Sequence, residues 1–111
     1  MSVTKTKEME KDNYITDVVF RCDKSGDFKG VVFALLPHEV STTNGLVTSY
    51  TKIGQHSSAN YSGCIGVSRA ATEKEYKDLK KEMEGLGYNL KVVKKQNYDK
   101  YLASYKEVNK R

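Results

Sequence analysis

The 111-residue chain carries 19 Lys and Arg against 14 Asp and Glu, a net charge of +5 at pH 7, with 38% hydrophobic residues, eight tyrosines and no tryptophan. That length excludes two complete cores, and the apolar content argues against a chain disordered throughout. No run approaches the ~20 apolar residues that a membrane helix needs.

The first residues, Met1 to Asn13, are polar and lack the apolar stretch of a signal peptide. A cytoplasmic location is therefore expected. Cys22 and Cys64 fit that compartment, where thiols stay reduced, and Cys22 reads as a buried free thiol in a strand. The basic residues are nearly all lysine, a point charge on a flexible stem, whereas base-specific recognition favours arginine's fixed fork. Such an excess permits contact with nucleic acid, nucleotides or an acidic protein surface and demands none of them.

Residues 1–13 read as a flexible tail and 14–111 as a single α+β domain. From Asp17 to Cys22 the pattern alternates, with Val18, Phe20 and Cys22 on one face and Val19 and Arg21 on the other. Asp23 to Asp27 is turn chemistry around Gly26. Gly30 to Leu36 predicts a second strand, apolar on both faces and so central, which Pro37 ends for want of a backbone donor. Thr42-Thr43-Asn44-Gly45 predicts a turn, and Leu46 to Ile53 a third strand completing an antiparallel meander.

Gly54 to Ala71 breaks the alternation and reads as a long polar loop, of a length that is often functional and that can hide a short helix or strand. Thr72-Glu73-Lys74-Glu75 matches a capping box, and Tyr76, Leu79, Met83 and Leu86 share one face of the helix it opens. Gly85 and Gly87 supply the stop. Tyr88 to Lys95 predicts a fourth strand. Asn97 caps a last helix whose stripe is Tyr98, Tyr101, Leu102, Tyr105 and Val108. The order β-β-β-α-β-α predicts a two-layer sandwich, a four-stranded, mainly antiparallel sheet with both helices on one face. Periodicity does not place the fourth strand in that sheet.

The polar loop supplies the candidate ligand-binding residues: Gln55, His56, Ser57, Ser58, Asn60, Tyr61 and Arg69, just before a helix N-terminus. Backbone donors and the helix dipole favour an anion there, and Arg69 adds a fork for phosphate or carboxylate. The competing reading is a solvated loop, and the capping box already uses donors at that helix end. His56-Ser57 invites a nucleophile-and-base reading, with Glu39 as a partner if the strand ends meet, but adjacency alone does not make a triad. His38, His56, Cys64 and Glu39 match no zinc spacing, so no metal and no cofactor are expected. Lys91, Lys94, Lys95 and Lys100 form a basic neighbourhood beside the tyrosine stripe, readable as a nucleic-acid surface or as a solvated face over a core-facing helix.

Tyr50 to Tyr61, Ala71 to Leu79, Gly87 to Leu90 and the Leu36-Pro37-His38-Glu39 step make up about a quarter of the chain, spread over residues 36–90. They resemble segments of short uncharacterised proteins of Bacteroides-type bacteria and their phages, in which the last step reads Phe-Pro-x-Glu. This chain has Asn60 where that group leads one to expect an acid, and Ala70 where it leads one to expect proline. The resemblance implies a phage or mobile-element setting and brings no catalytic residue. The leading expectation is a non-enzymatic binding module acting on a host macromolecule, such as a host protein, or on an anionic small ligand such as a nucleotide. The alternatives are a small hydrolase or nuclease using His56, and a nonspecific nucleic-acid-binding protein.

Overall fold

Alternating apolar residues build the centre of the fold. In the computed structural model, which describes residues 15–26, 29–51 and 55–110, three strands form an antiparallel meander: β1 (Thr16–Asp23), β2 (Val32–Val40) and β3 (Val47–Thr51). The expected tail, residues 1–13, lies outside the described residues, as do Asp27 and the segment 52–54 at the end of the third predicted strand. β2 is central, and Phe33, Ala34, Leu35 and Leu36 are all buried, as a strand covered on both faces requires.

Pro37 does not end β2. The strand continues to Val40, and its pairing with β3 shifts register between Leu36 and Val40. A proline is tolerated where the ladder is already interrupted.

The stretch expected as a loop is largely regular. Gln55–Ala59 forms β4, antiparallel to β3; Tyr61–Gly66 forms a short helix, α1; Ser68–Ala70 forms β5, antiparallel to β1. Helix α2 (Glu73–Gly85) follows, then β6 (Leu90–Val92) and helix α3 (Tyr98–Asn109). The fourth predicted strand thus shrinks to three residues, and it runs parallel to β1. β5 pairs with the Arg21–Asp23 half of the outer edge of β1, and β6 with the Thr16–Val18 half. Among the described residues the sheet has six strands rather than the expected four, in the order β4-β3-β2-β1-β5, with β6 also on β1.

Its two faces carry separate cores, which corrects the expectation of both helices on one side. Val18, Phe20, Ala34, Leu36 and Tyr50 pack with Leu79 and Met83 of α2. Val19, Phe33 and Leu35 pack with Tyr61, Cys64 and Ile65 of α1 and with Val93. Each fully buried Leu or Val contributes about 1.5–3 kcal/mol, so both faces stabilise the sheet. Helix α3 joins the α1 side. Tyr61 Oη accepts from the Gln96 N–H at 2.9 Å, and Lys100 Nζ reaches Asp17 at 3.1 Å. Asp17 alternates with Val18 and so shares the face of Val19.

Helix α2 has both ends defined by its sequence. Thr72 accepts from the Glu75 N–H, and Glu75 returns a carboxylate to the Thr72 N–H at 2.9 Å, completing the capping box. At the far end Gly87 takes φ +107°, its N–H donates to Glu84 O, and the Tyr88 N–H donates to Met83 O. This is a Schellman stop, in which glycine fills the left-handed position.

Helix α3 is held by polar contacts rather than by a deep core. Its Ser104 Oγ accepts from the Val40 N–H at 2.9 Å, and Tyr101 Oη donates to Gly45 O at 2.9 Å. Gly45 has φ +91°, and a Cβ there would stand 2.5 Å from Tyr101 Oη, so only glycine fits. None of the described residues of α3 is fully buried, and Tyr98, expected in a core-facing stripe, is 65% exposed.

Candidate functional site

Strand β4 and its flanks divide the residues expected to form one ligand site. Alternation sends His56 and Ser58 to one face of the sheet and Ser57 to the other, so the adjacent imidazole and hydroxyl point apart. A serine nucleophile with His56 as its base is therefore not assembled. Ser58 Oγ shares a 2.6 Å hydrogen bond with Ser41 Oγ. Asn60 caps α1 by accepting from the Gly63 N–H at 2.7 Å, and Tyr61 packs in the α1-side core. Gln55 opens β4, and its side chain lies outside the described part of the structure.

Arg69 is not near these residues. It lies on β5, at the opposite end of the sheet from β4, about 19 Å away from strand spacing alone. Its guanidinium grips Glu75 with two bonds, of 2.8 and 2.6 Å. That fork and the Thr72 N–H hold the Glu75 carboxyl down at about 2. The helix N-terminus expected to receive an anion is thus occupied by a carboxylate of its own chain.

A different convergence does occur. The end of β2, strand β4 and the turn after α2 enclose a groove of about 450 Å³ lined by Thr16, Glu39, His56, Leu86, Tyr88 and Asn89. Each polar group has a local reason for its place. The Schellman stop projects Tyr88 back over the sheet, where Tyr88 Oη and His56 Nε2 share a 2.9 Å hydrogen bond. The β3–β4 register sets His56 opposite Tyr50, with ring centroids 4.7 Å apart at 74°. Tyr50 is itself fully buried, and its hydroxyl donates to the Glu82 carboxylate. Within the stretch where β2 shifts register, Glu39 Oε2 accepts from Thr48 Oγ1 at 2.7 Å. Burial first, and the Glu39 charge second, push the Tyr88 hydroxyl above its usual range, so it stays a neutral phenol. The groove offers a carboxylate, an imidazole, a phenol and a carboxamide beside an exposed leucine.

His38 has no capacity left for a ligand. Its Nε2 accepts from the Asn97 N–H at 2.7 Å, so Nδ1 carries the proton and donates to Asp17 at 2.9 Å. Lys100 also bonds Asp17, so one of the four lysines of the expected basic neighbourhood is engaged, while Lys91, Lys94 and Lys95 are exposed. Among the described residues, no three His, Cys, Asp or Glu gather as metal ligands. Both cysteines are free, and burial, then the Asp23 charge, raise the Cys64 thiol.

Sequence reasoning named His56 and Glu39 and missed Tyr88, Thr16, Leu86 and Asn89. A signal for Tyr88 was present, because the residue after a helix-stopping glycine turns back over the last helical turn. The chain matches no protein-family model, no curated protein and no solved structure.

Proposed function

We propose that this protein is a non-enzymatic binding module whose recognition site is the groove between the end of β2, β4 and the turn after α2. The observation that carries this reading is the meeting of Glu39, His56 and Tyr88, from three separate parts of the chain, around one recess. A concave site with an apolar wall and a few convergent polar groups is the usual form of a small-ligand site. The phage or mobile-element setting implied by the sequence resemblance makes a host component the natural source of the ligand.

An NMR fragment screen tests the proposal. Hits are expected to shift the amide signals of His56, Tyr88 and Asn89, and hits confined to other surfaces would overturn it.

A second reading has one observation in its favour: His56 and Glu39 line the same groove, so an acid–base pair acting on water is geometrically available. Nuclease and phosphatase turnover would then be lost in His56→Ala, and equal turnover in variant and wild type removes this reading.

A further inference from the structure

We infer that the groove takes an organic ammonium group, primary or quaternary, rather than an anion. The inference deepens the binding-site reading and rests on it.

The charge pattern comes first. Among the described residues Asp17, Glu75, Glu84 and Glu107 are each paired with a cation, whereas Asp23, Glu73, Asp78 and Asp99, like Glu39, are not; what distinguishes Glu39 from those four is the histidine–tyrosine pair lining the same groove. Glu39 lines the groove with a threonine hydroxyl on one oxygen and, among the described residues, no cationic side chain within salt-bridge distance; Lys100, which borders an adjoining recess with Glu39, is bonded to Asp17. A carboxylate that lines a groove beside aromatic rings, with no lysine or arginine bonded to it, is a position that favours a positive ligand. An anion would meet like charge there, which disfavours the phosphate expected from the sequence.

The aromatic groups point the same way. The Tyr88 and His56 rings stand side by side, with centroids 6.0 Å apart and planes tilted by 34°. An ammonium group is attracted to the face of a tyrosine ring, and the attraction strengthens as water is excluded. Leu86, 56% exposed at the rim, offers the apolar surface that the carbon stem of an amine would cover. Carboxylate, ring face and apolar rim together form the complement of an alkylammonium.

Two sources carry this group, a free amine and the tip of a lysine side chain. The test is an NMR titration of the full chain with n-butylammonium, tetramethylammonium, n-butanol, butyrate and a blocked lysine-containing tripeptide. Saturable shifts at His56, Tyr88 and Asn89 are expected with the cations and not with butanol or butyrate. Glu39→Gln keeps an oxygen for Thr48 and should weaken n-butylammonium binding about tenfold or more, with an otherwise unchanged amide spectrum. Tyr88→Leu should weaken it by a smaller factor. Tighter binding of the tripeptide than of n-butylammonium would assign the group to a peptide lysine, and the reverse to a free amine. Equal response to butanol or butyrate, or unchanged affinity in Glu39→Gln, overturns the ammonium class while leaving a ligand site in place. If cations, neutral compounds and the fragment screen all leave the groove untouched, the site itself falls.

Discussion

Tyr88 Oη and His56 Nε2, 32 residues apart in sequence, meet at 2.9 Å because a helix stop and an edge strand deliver them to the same spot. The stop depends on Gly87 at φ +107°, with nothing within 4 Å of where a Cβ would be. Gly87→Ala therefore costs backbone strain without a clash, about 1 kcal/mol or more. It should also move Tyr88 off His56. Urea denaturation reads the first effect, and the His56 ring signals in NMR read the second.

The Asp17–His38 contact ties β1 and β2 to the start of α3. His38→Ala should leave the Asn97 N–H and the Asp17 carboxylate each short of a partner and cost about 1–3 kcal/mol. Loss of amide-exchange protection in α3, with the sheet unchanged, would locate the effect.

The same pair sets an acid-range dependence. Burial alone would raise the Asp17 carboxyl, but hydrogen bonds from Lys100 and His38 outweigh it and hold the group below its ordinary value of 3.8. Asp17 therefore contributes stability in full above 3.8. As pH falls further the unfolded chain takes up the proton first, and the contribution is gone once pH passes the lower, folded value. Stability measured from pH 5 down to pH 2 should fall less steeply in Asp17→Asn than in the wild type.

Arg21 joins three elements on the α1 side. Its Nε donates to Ser68 Oγ at 3.0 Å, and its Nη2 to Ser68 O at 2.6 Å and to Ile65 O at 3.3 Å. A lysine cannot reproduce that fork. Arg21→Lys should cost about 1.5–3 kcal/mol in chemical denaturation, with α1 and β5 losing exchange protection first.

At the start of α2, Thr72→Ala should cost about 1 kcal/mol by removing the helix cap. Arg69→Ala should leave affinity for phosphate or nucleotides unchanged, since that guanidinium is already committed to Glu75. A drop in phosphate affinity on Arg69→Ala, measured by calorimetry, would return the anion site to consideration.

The strand meander, both ends of α2 and the N-cap of α3 are legible in the chain because they rest on local rules. Alternation sorts Val18 and Phe20 from Val19, Thr72-x-x-Glu75 satisfies its own donors, and Gly87 supplies its own left-handed turn. The stretch after residue 54 was opaque for the converse reason. Gln55-His56-Ser57-Ser58-Ala59 has no apolar alternation, and it becomes a strand through pairing with β3. Pro37 misled similarly, since a proline is excluded from a ladder only where its missing donor would have been used.

The sequence by itself determined which residues are apolar on which side, where α2 begins and stops, and that His56 and Glu39 stand among the groups able to carry chemistry. Only the tertiary structure decided that β4 and β5 lie at opposite ends of the sheet, which parts His56 from Arg69 and joins it to Tyr88. Strand order is set by contacts between segments far apart in the chain, and the free energy of those contacts leaves no periodic trace in any one of them.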